Sequence, residues 1–274
     1  MNTRTSAGGV DWRARWREMF SAAAGEAAPR ADDPWRHRAA RFDRLGRERA
    51  NAALEHLGAE LRPTDVLADL GAGTCRHAVP LARRAARVIA VEPSAAMRAL
   101  LEARLREERA NVSVVAASFP CPLEPVDVVY SCHVLYAIAE AAEFLDAMTR
   151  AARRTCRLVL GLRAPSERIA PLWQAVHGTP RPPRPAALEA FALLHQLGHE
   201  ASLRVIPGAM EPMTFSRSRD DLDELCHRLH LAPGPDERAR VEAALDATFP
   251  SASREGWRAG ESASSALIEW PGRG

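Results

Sequence analysis

Three residues early in the chain have the types and spacing to hold a ligand: Gly71, Gly73 and Glu92. The glycines stand in Asp69-Leu70-Gly71-Ala72-Gly73-Thr74, at the end of an apolar run at 66–70. Glycine there permits a tight turn and lets backbone approach a ligand closely. A helix opening next would point its free N–H groups at the same place. Glu92 follows a second apolar run at 87–91. An acid at that strand end typically accepts from a pair of ribose hydroxyls, so the expected ligand is a nucleoside or nucleotide. A dinucleotide fingerprint would put a third glycine at position 76, where Arg76 stands. A P-loop needs a lysine after its last glycine, and the chain has no lysine at all.

The elements that must position these residues alternate. Apolar runs at 66–70, 87–91, 112–116, 126–131 and 156–162 read as strands, and the segments 77–86, 94–108 and 139–154 between them carry helical patterns. Such alternation implies crossover units and a parallel sheet, and strands apolar nearly throughout suit a sheet covered on both faces. Trp12, Trp16 and Phe20 form one stripe of an earlier helix, and 22–32 reads as a linker. A longer helix starts at Asp33-Pro34, with Asp33 as cap and Pro34 at the first helical position, and runs to 59–61. Beyond 162, helices fit 166–176, 186–197, 219–231 and 236–249, and strands fit 202–206 and 264–270. The expected organisation is an N-terminal helical lid at 1–62, a cofactor-binding core at 63–165, and the remaining strands with helical substrate-side insertions at 166–274, forming a single domain overall.

The chain has 274 residues, of which 47% are apolar and 26% charged, which excludes disordered and low-complexity classes. Its 37 basic and 35 acidic residues leave a formal charge of +2, so no nucleic-acid partner is expected. No apolar run approaches the roughly 20 residues of a membrane span. Cys75, Cys121, Cys132, Cys156 and Cys226 are odd in number and form no Cys-x-x-Cys pair, as reduced thiols of a cytoplasmic protein would be. The oligomeric state is not legible.

The pattern from Asp69 to Thr74, followed by Glu92, resembles class I S-adenosylmethionine-dependent methyltransferases, in particular the small-molecule "type 11" group. The resemblance spans about 66–162. It implies a Rossmann-like fold with a seven-stranded, mostly parallel sheet whose last strand is antiparallel, helices on both faces, an N-terminal helical lid and C-terminal helical insertions. It implies S-adenosyl-L-methionine as cofactor, with Asp69 engaging its cationic amino-acid end beside Gly71, Ala72 and Gly73. Glu92-Pro93-Ser94-Ala95-Ala96-Met97 matches the family's acid-x-Ser-x-x-Met, so Glu92 and Pro93 fall at the ribose and Met97 near adenine. Backbone N–H groups of Ser118 and Phe119 fall at the adenine loop, and Ser131 on the fourth strand completes the set. Two positions depart from the family pattern: Cys75 stands where glycine is usual, and Ala117 stands where an aspartate often binds the adenine amine. The missing hydrogen bond is worth on the order of 0.5–1.5 kcal/mol.

His133 follows the fourth strand, at the ligand edge of a parallel sheet, and is the candidate catalytic residue, either as a general base or as a group that shapes the pocket. Tyr136 carries the same choice, weighted toward core or lid. Trp35 and Phe42 are read as a lid helix that also packs on the sheet. Cys226, His227 and His230 share a helix at metal-ligand spacing, but no second ligand cluster accompanies them, so no metal is expected. The arginines of 150–157 are read as cations favoured at a helix end, and Arg181 and Arg184 as part of a solvated proline-rich loop. The acceptor stretch reads Ser131-Cys132-His133-Val134, not the Asn/Asp-Pro-Pro-aromatic sequence of amide-type methylation. A small-molecule acceptor is expected. The alternative is a methyltransferase-fold partner protein without activity, and a nicotinamide oxidoreductase is disfavoured by Arg76.

Overall fold

The computed structural model describes residues 9–24, 33, 35–36, 38–48, 52–210, 212–249, 256–260 and 262–273. The expected first helical position, Pro34, lies outside them, as does most of the expected linker. Helices α1 (Trp12–Ala24), α2 (Ala39–Glu48) and α3 (Ala52–Leu57) precede β1 (Val66–Leu70). There follow α4 (Ala78–Leu81), β2 (Arg87–Val91), α5 (Ala95–Glu108), β3 (Val112–Val115), β4 (Val126–Cys132), α6 (Ala141–Ala151) and β5 (Ala152–Gly161). The rest comprises α7 (Ala170–His177), α8 (Ala187–Gln196), β6 (Ser202–Met210), β7 (Met213–Ser216), α9 (Arg219–Arg228), α10 (Pro235–Thr248), β8 (Gly256–Ala259) and β9 (Ala263–Pro271).

Seven strands form one sheet in the order β3-β2-β1-β4-β5-β9-β6. Only β9 runs against its neighbours. The order reverses between β1 and β4, where an open parallel sheet leaves a crevice at its carboxyl edge. Alternate residues supply the two faces. Ala68, Leu70, Val129, Leu158 and Ile268 pack with α1, α6 and α8, while Leu67, Val88, Val128, Val159 and Leu267 pack with α3, α4 and α5. This is the covered parallel sheet that the strand pattern implied, in the Rossmann-like form that the resemblance implied.

Several boundaries differ from the sequence reading. The helix expected over 77–86 is one turn, because the chain tightens into bonds from Arg83 N–H to the Pro80 carbonyl and Arg84 N–H to the Leu81 carbonyl, then pairs Ala86 N–H with the Asp65 carbonyl. The helix expected to 154 stops at Ala151, and Arg154 and Arg157 are strand residues. Arg154 pairs with Asp65. Arg157, only 4% exposed, donates to Glu269 at 2.9 Å and to the Leu57 carbonyl at 2.6 Å. Arg157 ties β5 to β9 and to the end of α3, Arg154 ties β5 to the segment before β1, and neither caps a helix.

The sequence reading also missed β7 and β8, which form a separate antiparallel ribbon. With α7, α9 and α10 they enclose a third apolar cluster that includes Leu172, Phe215, Leu225, Val241, Leu245 and Trp257. Helix α2 docks on this ensemble. Arg41 Nε pairs with Asp221 Oδ1 at 2.5 Å and Arg38 Nη1 with Glu224 Oε1 at 3.4 Å. Among the described residues no helix is long and apolar enough to cross a membrane.

Candidate active site

Asp69 and Tyr130 are direct cross-strand neighbours on β1 and β4. Their alternation turns both toward the same face of the sheet, next to the glycine turn. Asp69 is 2% exposed and its Oδ2 has no hydrogen-bond partner. Burial pushes its carboxyl up to about 7, with Glu92 adding to the rise; the nearby Tyr130 hydroxyl offsets part of it without forming a full hydrogen bond. A cation placed there would favour the ionised form.

The turn itself needs its glycines. Gly71 has φ +77° and Gly73 φ +56°. A Cβ on Gly71 would lie 2.4 Å from Val134 Cγ2. The Gly71 and Ala72 N–H groups both donate to the Val91 carbonyl, at 2.8 and 3.1 Å, which pins the turn to the end of β2. Cys75 holds φ +61°, the left-handed region that explains glycine as the usual residue at this place. Its buried thiol is pushed well above the ordinary range and stays protonated at neutral pH.

Glu92 is 5% exposed and lies against the same turn. Its carboxylate accepts from Gly73 N–H and from Ser94 N–H, both at 2.8 Å. Burial raises its pKa against the pull of those two bonds. Ser94 caps α5 by accepting from Met97 N–H at 3.1 Å, and Met97 is buried. Ser118 is exposed, and Phe119 packs edge-on to Phe144 with centroids 5.3 Å apart. The Ser131 hydroxyl donates to the Leu70 carbonyl at 2.9 Å, so it braces the end of β1 from within the sheet.

Residues outside the sequence motif complete the surroundings. Asp33 does not cap its own helix. One carboxylate oxygen accepts from Trp35 N–H at 2.9 Å, and the other accepts from Ser94 Oγ at 2.9 Å and Ala96 N–H at 3.2 Å. It therefore latches the lid segment to the N-terminus of α5, next to Glu92. Burial opposes its ionisation, but these hydrogen bonds prevail and lower its pKa. Phe42 on α2 reaches over the turn; a Cβ on Gly73 would sit 3.7 Å from its ring. Its ring contacts Trp35 edge-on at 5.3 Å and stays 42% exposed, leaving apolar surface above the turn.

On the other side stands His133, with φ +60°, a strained value for a residue with a Cβ. Its Nδ1 lies 3.3 Å from the Tyr136 hydroxyl, which itself accepts from Gly161 N–H. Burial and then Arg76 lower the His133 imidazole to about 4, so it is neutral at pH 7. His77, at the start of α4, is lowered further, to about 3, by burial, Arg76 and His133. The sequence reading did not single out His77, although its place just after the glycine turn was a usable signal. Cys226 sits in the third apolar cluster and His230 packs on Trp173, and among the described residues no group of three potential ligands is arranged to hold a metal ion.

The polar groups fit S-adenosylmethionine. A buried carboxylate oxygen without a partner suits a cationic amino group, a second buried carboxylate suits a ribose, and between them the turn has no room for a side chain at Gly71. Residues 68–160 match the family described as a methyltransferase domain. Among solved structures, the YcgJ protein from Bacillus subtilis aligns over 82% of this chain and 98% of its own, at 14% identity and TM-score 0.56. Magnesium protoporphyrin IX methyltransferase from Synechocystis PCC 6803 with bound SAH aligns over 95% of this chain and 93% of its own, at 14% identity and TM-score 0.50. At such identities the likeness is one of fold. No curated protein matches the sequence.

Proposed function

Since residues 68–160 form a methyltransferase domain of the class I, S-adenosylmethionine-dependent type, we propose that the chain methylates a small-molecule acceptor and holds its cofactor through the residues of the glycine turn. The observation that carries this reading is the partnerless, buried Asp69 Oδ2 beside Gly71 and Gly73. Asp69 and the turn from Gly71 through Ala72 to Gly73 hold the amino-acid end. Glu92, with Pro93 fixing its backbone, accepts from the ribose. Met97, Ser118 and Phe119 border adenine, and Ser131 keeps β1 and β4 in register beneath them.

When bound, S-adenosylmethionine supplies a methyl group on a sulfonium, a leaving group that needs no activation. The protein's remaining task is to exclude water and align the acceptor, and alignment alone can supply about 7–11 kcal/mol. His133 suits alignment. The Tyr136 oxygen accepts from Gly161, so its own proton can go to His133 Nδ1. That arrangement leaves the imidazole proton on Nε2, which makes His133 a hydrogen-bond donor to the acceptor and not its base. Arg184 donates to the Tyr136 carbonyl at 3.2 Å and to the Ala23 carbonyl at 3.4 Å, tying the proline-rich loop to the 131–136 segment and to α1. A loop held beside this segment favours a small molecule over a polymer. The division into lid, core and substrate-side insertions belongs to the same reading: α2 covers the cofactor turn, and α7 to β8 brace α2.

The test is calorimetric titration with S-adenosylmethionine and S-adenosylhomocysteine. A charged hydrogen bond is worth about 1.5–3 kcal/mol, so Glu92→Gln is expected to weaken binding about tenfold to a hundredfold. Absent binding by the folded protein, or binding indifferent to both Glu92→Gln and Asp69→Asn, would replace the enzyme with a partner protein of the same fold.

A further inference from the structure

Helix α2 turns Phe42 and Gly46 toward the cofactor turn and Arg76. A different face, with Arg41, Arg44 and Leu45, lines a cleft of about 380 Å³. The other lining comes from the β7–β8 ribbon, with Thr214, Ser216 and Arg258 on one face, while the rings of Phe215 and Trp257 are buried on the opposite face in the third apolar cluster. The volume is within the usual range for a small-molecule site.

Charge decides what the cleft would take. The one acid in its lining is Asp221. Both of its oxygens are consumed: Oδ1 by Arg41 Nε at 2.5 Å, and Oδ2 by Ser216 N–H at 2.6 Å and Ser216 Oγ at 2.8 Å. Two further acids beside the ribbon, among the described residues, are also engaged. Glu242 and Asp246 are held by Arg217, and Asp246 also accepts from Trp257 Nε1 at 2.8 Å. Arg44 and Arg258 are exposed at the mouth, with no acid or carbonyl partner among the described residues. Two exposed guanidinium groups thus line one cleft without a partner among the described residues, beside the Thr214 hydroxyl. Guanidinium pairs bind planar or tetrahedral oxyanions through paired N–H groups. We propose that this cleft, separated from the cofactor turn by α2, is a second binding site that takes a small molecule bearing a carboxylate or phosphate.

The full chain should be titrated with citrate, inorganic phosphate and pyrophosphate at low salt, beside Arg44→Gln, Arg258→Gln and a control, Arg204→Gln, on exposed β6. All three arginines are exposed, so the variants should fold, and circular dichroism checks this. The expected result is saturable binding of at least one probe, weakened about tenfold or more by either cleft substitution and by less than twofold in the control. Citrate alone would mark a carboxylate site, and the phosphates alone a phosphate site. Failure of all three probes to saturate, or equal weakening by Arg204→Gln, would overturn the proposal.

Discussion

Replacing Asp69 by Asn should make the protein more stable and unable to bind its cofactor. The carboxyl titrates at 3.8 in water and at about 7 in the fold, chiefly because it is buried. A group whose folded pKa is raised costs stability as pH climbs from the unfolded value to the folded one. At about 1.4 kcal/mol per pH unit, the penalty reaches at most about 4 kcal/mol near pH 8 and vanishes below pH 4. Asn has nearly the same shape and carries no charge to desolvate. Urea denaturation of both proteins at pH 4.5, 6, 7 and 8 measures the difference. The Asn variant should be the more stable by an amount that grows with pH through this window, while its affinity for S-adenosylhomocysteine falls at least tenfold. The same carboxyl predicts that cofactor binding to the natural protein strengthens as pH rises through about 7 and releases a proton, readable by calorimetry in buffers of different ionisation enthalpy. A stability gap that is constant with pH, or an Asn variant less stable at pH 8, would refute the assignment of Asp69 as a strained, ligand-ready carboxylate.

Gly71→Ala should cost about 2–5 kcal/mol, since the new Cβ both meets Val134 and must hold φ +77°; the urea midpoint and loss of cofactor binding report it. Arg41→Ala leaves the buried Asp221 without its cation, an expected loss of about 3 kcal/mol. Faster amide exchange should be confined to α2, β7 and α9, and uniform acceleration through β1 to β5 would contradict a local docking role. The His133 imidazole, lowered to about 4, should stay neutral in NMR titrations from pH 8 to about 5; protonation near 6.5 would deny its burial. Iodoacetamide on the native protein should label the partly exposed Cys121 before the buried Cys75, Cys156 and Cys226.

What the sequence made legible was whatever is local. β1, β2 and β4 announce themselves because strands buried on both faces are continuous apolar runs ended by glycine or a charged residue. Asp69 and Glu92 could be found because the fold puts them at strand ends whose spacing is set by one crossover unit. The ribbon of β7 and β8 left no such trace. Each strand is four residues long, and the partners are separated by two helices, so neither shows a usable alternation. The Asp33 latch was misread for a related reason: a carboxylate before a helix looks like that helix's own cap, and only the tertiary arrangement delivers it to Ser94. Arg154 followed a helical pattern and Arg157 was grouped with it as a helix-end cation, but pairing of β5 with β4 and β9 and an acid at each guanidinium outweighed propensity.

The place of β9 in the sheet has a consequence for how the molecule comes together. Strand β6 pairs with β9 and with no other strand, and β9 also covers the open edge of β5. Both contacts join segments far apart in the chain, with β7, α9, α10 and β8 lying between β6 and β9. Without β9, β5 is a bare edge of an otherwise finished parallel sheet and β6 has no strand partner among the described residues. Such edges invite pairing with other chains. Closing the sheet therefore requires a strand inserted between two others, and a chain that lacks this contact exposes edges open to aggregation.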